Sequence, residues 1–194
     1  MSKPSAYIAQ HGFPKDQRAT VAALFWQAFK AKLGLLMRPE ETALQFLTQV
    51  ADPSHALSVL DDEGTVVRLD RPAERIISLA PSLTELLFAA GAGSKMVGVV
   101  DYSDYPPQAE TLPIIGRHDL LDMEKILQLS PDLVVAWQSG NPRASVNRLR
   151  ELGITVYIAE PKNLASIPSH LRRLAVLAGT ETSADRVIDD FEAK

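Results

Sequence analysis

The chain contains no cysteine. Disulfides and thiolate metal sites are thereby excluded, while the compartment stays open, because exported proteins also fold without cysteine. No apolar run approaches the roughly 20 residues of a membrane span, so no membrane-embedded segment is expected. The opening residues MSKPSAYIAQ lack the apolar stretch of a secretory leader. As written, the sequence predicts a soluble, unexported, cytoplasmic chain. Positive charge is not in excess: the net charge of −4 argues against a nucleic-acid partner held by phosphate neutralisation. No Gly-x-Gly-x-x-Gly follows Leu79, which disfavours a dinucleotide fold.

What is present is an ordinary globular composition, 46% hydrophobic and 23% charged over 194 residues, enough for one large or two small domains. The organising stretch is Arg75 to Tyr105. Ile76, Ile77 and Leu79 form an apolar run too short for a helix, and Pro81 ends it. Ser82 and Glu85 have the spacing of a capping box. Leu83, Leu86, Leu87 and Ala90 give the following helix one apolar face. Gly91 and Gly93 stop it, and Met96 to Val100 is the next strand. Strand, helix and parallel strand in about 30 residues make a βαβ unit.

The alternation continues. Asp101 to Pro107 is a loop, Leu112 to Ile115 a short strand, and Arg117-His118-Asp119 a polar turn. Asp122 can cap a helix over Met123 to Leu129. Leu133 to Trp137 and Ile154 to Ala159 are strands; Ala144 to Leu152 and Leu164 to Leu177 are helices. Thr182 or Ser183 caps a last helix, with Val187, Ile188 and Phe191 on its docking face and Glu192 to Lys194 frayed. The expected fold is therefore α/β, a Rossmann-like doubly wound parallel sheet. A small α+β segment precedes it: a strand over Ala6 to Gln10, helices over Gln17 to Leu33 and Glu40 to Val50, then a hairpin of His55 to Leu60 and Thr65 to Leu69 around Asp61 to Gly64. His11 and His55 are isolated, and Phe25, Trp26 and Phe29 suit a core.

In an open parallel sheet, ligands bind beyond the carboxyl ends of the strands. Pro81-Ser82, Asp101 to Tyr105, Gly116 to Asp119, Trp137 to Asn141 and Glu160-Pro161 occupy that edge. They carry Tyr102, Tyr105, His118 and Trp137. An aromatic edge without an arranged nucleophile and base suits binding a large flat ligand rather than catalysis. No enzyme activity, metal or required cofactor is expected. For Trp137, packing under a helix as a strand-end residue is the secondary reading, whereas for Tyr105 before Pro106 packing within its turn is the first.

Two resemblances add to this reading. HGFPKDQRATVAALFWQAFKAKLGLLMRPEETALQFLTQVADPSHALSVLDDEG, about residues 10 to 64, resembles the N-terminal strand, two helices and strand of GNAT-type acetyltransferases. The glycine-containing loop with which that family holds coenzyme A at a helix start does not follow Gly64, so acyl transfer is not expected. ERIISLAPSLTELLFAAGAGSKMVGVVDYSDYPPQAETLP, DMEKILQLSPDLVVAW and LRELGITVYIAE are similar to one lobe of the two-lobed binding proteins of ABC importers for cobalamin, haem and ferric siderophores. The match runs from about Val66 to Lys194, and YSDYPP with PDLV-x-AW points to the corrinoid (vitamin B12) branch.

That resemblance implies a periplasmic substrate-binding lobe over residues 65–194, ending at the start of the lobe-connecting helix. Ser82 and Tyr102 would contact corrin side groups and Trp137 would pack near the ligand edge. His118 stands where the corrinoid branch carries tryptophan, so haem or a ferric siderophore stays open as ligand. Glu124 would dock onto arginines of the permease. Together, the two resemblances imply a chimera: a GNAT-like fragment over residues 1–64, joined near Ala56 to Thr65 to a lobe that lacks its second half and leader. An inactive fusion is the alternative outcome.

Overall fold

Short apolar runs whose side chains alternate between two faces build the sheet in the computed structural model, which describes residues 57–193. The expected elements before Leu57, with His11, Phe25, Trp26, Phe29 and His55, lie outside the described residues. β1 (Leu57–Leu60) and β2 (Val66–Leu69) form an antiparallel hairpin. β3 (Ile76–Ser78), α1 (Pro81–Ala89) and β4 (Met96–Val99) follow, then the small hairpin of β5 (Gly116–Arg117) and β6 (Leu120–Leu121). α2 (Met123–Gln128), β7 (Leu133–Trp137), α3 (Arg143–Glu151), β8 (Val156–Ala159), α4 (Ile167–Ala178) and α5 (Glu181–Glu192) complete the chain. The four long-range strands pair in parallel in the order β4-β3-β7-β8. The doubly wound α/β expectation is met.

Both faces are covered, so β3, β7 and β8 are apolar almost throughout. Ile76, Val135, Tyr157 and Ala159 pack with Leu83 and Leu87 of α1, Leu171 and Leu174 of α4, and Ile188 of α5. Ile77, Val134, Ala136 and Ile158 pack with Ile126 of α2 and Leu149 of α3. Each face alternates with the next residue along the strand, as the pleat requires.

Three local expectations are corrected. The capping box at Ser82 does not form: α1 begins at Pro81, Ala80 is its N-cap, and no side chain caps it. Proline has no amide hydrogen and a pre-set helical φ, so it takes the first helical position. Its ring pushes the preceding residue to extended backbone, and Ala80 has φ −152° and ψ 146°. Ser82 is left inside the first turn. The strand over Leu112 to Ile115 shrinks to one parallel bridge between Ile114 and Val99, since Pro113 can accept from Val99 N–H but cannot donate. α5 starts from Thr180, whose hydroxyl donates to the Ala90 carbonyl at 2.6 Å instead of capping its own helix. Its docking residues are Ala184 and Ile188, while Val187 and Phe191 stay more than a third exposed. An Ala184–Ile188 pair at i, i+4 centres the buried stripe one position away from Val187. The helix includes Glu192, which pairs with Arg172 of α4 at 3.2 Å.

The amino edge of the sheet is closed by side chains. Arg75 donates to the Leu129 carbonyl at the end of α2, and Lys95 donates to the Ala178 carbonyl at the end of α4. Asp132 accepts from the N–H groups of Glu74 and Arg75 at 2.8 and 2.9 Å. These contacts satisfy carbonyl and amide groups that helix and strand ends leave over.

The β1–β2 hairpin belongs to the same body. Val59, Val67 and Leu69 join the α1/α4 core. Its turn grips the end of β8: Asp62 N–H donates to the Ile158 carbonyl at 3.0 Å, and the Asp62 carboxylate accepts from Glu160 N–H at 2.6 Å. Asp61 shapes the turn by accepting from Glu63 and Thr65 N–H groups. Arg173 of α4 donates to Asp62 at 2.7 Å and to the Leu60 carbonyl at 3.0 Å. His170, 1% exposed, lies 3.6 Å from Asp62 and beside Arg173.

Burial holds the His170 imidazole below its ordinary 6.5, against the opposing pull of Asp62. The unfolded chain then takes up this proton first, so stability falls as pH drops below about 6.5. Replacing His170 with Gln should flatten the change in urea midpoint from about pH 7 to about pH 5. An unaltered slope would assign the loss to another group.

Candidate functional site

Strand order reverses beside β3: the chain turns one way to reach β4 and the other way to reach β7. Such a switch point opens a crevice at the carboxyl ends of the two strands. Asn141 fills its floor. The side-chain carbonyl of Asn141 accepts from Trp137 N–H at 2.6 Å. Its amide donates to the Leu79 carbonyl at 2.9 Å and to the His118 carbonyl at 2.8 Å. One buried side chain thus joins the ends of β3 and β7 to the β5–β6 hairpin. On the outer side of the same loop, the Glu160 carboxylate accepts from the N–H and the hydroxyl of Ser139, both at 2.9 Å.

The residues expected at the site sit along this edge. Ser82 is exposed in the first turn of α1. Tyr102 has φ +65° and a ring 82% exposed. The left-handed region costs a non-glycine residue free energy and is uncommon for an aromatic. Its loop is nonetheless fixed: Thr84 donates to the Ser103 hydroxyl at 3.2 Å, and Asp101 N–H donates to the Gly116 carbonyl at 2.9 Å. Tyr105 is 64% exposed, so it faces solvent rather than packing within its turn.

His118 is at the exposed tip of the β5–β6 hairpin. Arg117 and Asp119 pair across that tip through two hydrogen bonds, 2.9 and 2.6 Å, and this pairing holds the Asp119 carboxyl below its ordinary range. Gly116, with φ +110°, makes the hairpin possible, since a Cβ there would strike the Leu120 carbonyl. The His118 and Trp137 rings lie 6.3 Å apart between centroids, tilted by 49°, within the range of an edge-to-face pair. Trp137 is half-buried and partly packed on the α1/α4 core, as its strand-end packing setting expects. The ring also lies against the backbone of Gly140.

Glu124 stands apart from the aromatic pair. It is exposed in the first turn of α2, which Asp122 caps by accepting from Lys125 N–H, and it accepts from the Gln128 amide at 3.3 Å.

Sequence reasoning did not single out Asn141, the Ser139–Glu160 pair, Leu120 or Leu164. Leu120 and Leu164 are 70% and 76% exposed on the hairpin and on the loop after β8. Asn141 lay inside a named turn, but its partners are 62 and 23 residues away, and a turn signal is blind to them.

Chemically, this is a shelf. A cavity of about 200 Å³ lies beside Trp137, lined by Gln138, Asn141, Arg143 and Asn147 among others. That holds one side group, not a whole drug-sized ligand. Among the described residues no three His, Asp or Glu gather to hold a metal ion, and no helix is long and apolar enough to cross a membrane.

Comparison with known proteins gives a consistent result. Residues 76–194 match the periplasmic binding protein family. A vitamin B12-binding protein of Vibrio cholerae is 44% identical over 123 residues, 63% of this chain and 45% of that protein. One of Yersinia pestis is 35% identical over 159 residues, 82% of this chain and 51% of that protein. The chain spans about half the length of the curated relatives it matches. The crystal structure of the Vibrio cholerae periplasmic vitamin B12-binding protein superimposes with a TM-score of 0.60 over 63% of this chain and 48% of that one. A periplasmic haem-binding protein of Pseudomonas aeruginosa superimposes with a TM-score of 0.58 at 28% identity, over 62% and 44%.

The seat of Trp137 generates a test. A Cβ on Gly140 would overlap the six-membered ring of Trp137, so Gly140→Ala must displace the indole. We expect a loss of about 1–3 kcal/mol from overpacking and an altered Trp137 fluorescence spectrum. Wild-type spectrum and stability together would show that the ring does not rest on this backbone.

Proposed function

The chain belongs to the periplasmic binding protein family, and we propose that its lobe binds a corrinoid, offering one face of the site. The observation that carries this is the aromatic edge at the switch point: Tyr102 held exposed in a left-handed backbone, and His118 paired with Trp137, in a chain 44% identical over 123 residues to a vitamin B12-binding protein. In this reading Ser82 and Tyr102 contact corrin side groups, Trp137 packs at the ligand edge, and His118 takes a stacking position. The lobe needs no cofactor and performs no reaction; cobalamin is its cargo. Glu124, an exposed carboxylate at a helix start, docks onto arginines of an ABC permease, and the setting is the periplasm. A haem-binding reading has one specific support: His118 is an exposed imidazole at the same edge, able to ligate iron.

The domain reading is a lobe over residues 65–194 that ends in the start of a lobe-connecting helix, preceded by the acetyltransferase-like segment over residues 1–64. The boundary near residue 64 would cut the β1–β2 hairpin, whose two strands pair fully and pack on α4. The Yersinia pestis match leaves only 35 of 194 residues unmatched (194 minus 159), so it begins no later than residue 36. Both favour a lobe that starts at or before Leu57, with any fusion confined to the residues upstream.

One face cannot enclose the ligand, so contact area and desolvation are both reduced. Cyanocobalamin titration of the 194-residue chain, followed by absorbance, should give a Kd on the order of 1 μM to 1 mM, with Trp137→Ala weaker still. Nanomolar binding by the monomer, or tight binding of hemin alone, would overturn the reading. Tyr102→Gly should remove the left-handed strain and raise stability by up to about 1 kcal/mol while weakening cyanocobalamin. A variant that gains stability and keeps full affinity would return Tyr102 to a purely local role.

A further inference from the structure

From the hydrogen-bond geometry we infer that Asn141 is a positioning residue, the part that sets the spacing of three ligand-bearing loops through a side-chain amide whose hydrogens are all engaged within the protein. The inference rests on the corrinoid reading for its ligand but not for its geometry. Asn141 is 6% exposed. Both amide hydrogens are occupied, by the Leu79 and His118 carbonyls, and its oxygen accepts from Trp137 N–H at 2.6 Å. An amide so engaged has no free hydrogen for a ligand.

Each bond fixes a different part of the edge. Leu79 is buried at the end of β3 and leads directly into Pro81 and Ser82. The His118 carbonyl is at the hairpin tip, so this bond sets the height of the imidazole above the sheet. The bond to Trp137 N–H, with Asn141 N–H donating to the Trp137 carbonyl at 3.0 Å, closes the turn on which the indole rests. Only a primary amide offers this set: one acceptor and two donors diverging from one plane. Aspartate keeps the acceptor for Trp137 but turns its second oxygen toward both carbonyls, and serine is too short and has one hydrogen.

The test uses the full chain with Trp26→Phe, which leaves Trp137 as its one tryptophan. Asn141→Asp and Asn141→Ala are compared with Asp132→Ala, which removes a comparable clasp at the opposite edge. In the folded Asn141 variants, cyanocobalamin affinity should fall at least about tenfold, and acrylamide quenching of Trp137 in the ligand-free protein should rise. Asp132→Ala should lower the melting temperature yet leave both readouts unchanged. Wild-type affinity in a folded Asn141 variant would overturn the proposal, as would an equal loss of affinity in Asp132→Ala. If the parent chain fails to bind cyanocobalamin, the corrinoid reading falls by itself. Quenching then decides the positioning role, and unchanged quenching refutes it. Should the aspartate variant not fold, the alanine variant carries the comparison.

Discussion

A parallel strand can be reached only by a crossover, and in this lobe every crossover departs from the same edge of the sheet. The rest of the molecule follows from that constraint. β3, β4, β7 and β8 all finish on one side, so the loops that carry Ser82, Tyr102, His118 and Trp137 are delivered together although 55 residues separate the first from the last. The right-handed rule for such crossovers puts helices on both faces, and both faces must then be apolar. The reversal of direction beside β3 leaves the gap that Asn141 spans. Side chains far apart in sequence become neighbours without any local signal having brought them there.

What the sequence made legible was whatever depends on short-range pattern. The run from Ile76 to Leu79, the apolar face of Leu83, Leu87 and Ala90, and the Asp122 cap of α2 all appear where periodicity and capping place them. Leu133 to Trp137 likewise reads as a buried strand and is one. Errors arose where two local rules compete. At Pro81 and Ser82, proline at the first helical position overrides a serine cap. At Pro113, a missing amide hydrogen reduces a strand to a bridge. At Val187 and Ile188, adjacent apolar residues leave the direction of the helix face to be decided by α4.

The site was legible as a set of loops but not as a construction. Tyr102, His118 and Trp137 were visible because aromatics are few. Their supports were not, because Asn141 reaches Leu79 across 62 positions and Glu160 reaches Ser139 across 21. The Asp61-Asp62 segment was legible as the turn of a hairpin and no more. It is also a clasp on β8, with Asp61 3% exposed and Arg173 supplying the counter-charge that Asp62 needs when withdrawn from water. Ordinary acidic residues in a turn acquire this role only from a strand 97 positions downstream.

The capping of helix ends by Arg75, Lys95 and Thr180 divides labour between the two rims of the sheet. Those contacts, together with the Asp132 clasp, all lie at the rim away from the loops that carry Ser82, Tyr102, His118 and Trp137, and they join elements by main-chain groups that any sequence possesses. The framework can therefore tolerate drift in the opposite loops. A lineage could exchange the side chain at position 118, lengthen the hairpin or alter the shelf without loosening the scaffold. In evolutionary terms, robustness is stored at one rim and innovation is permitted at the other.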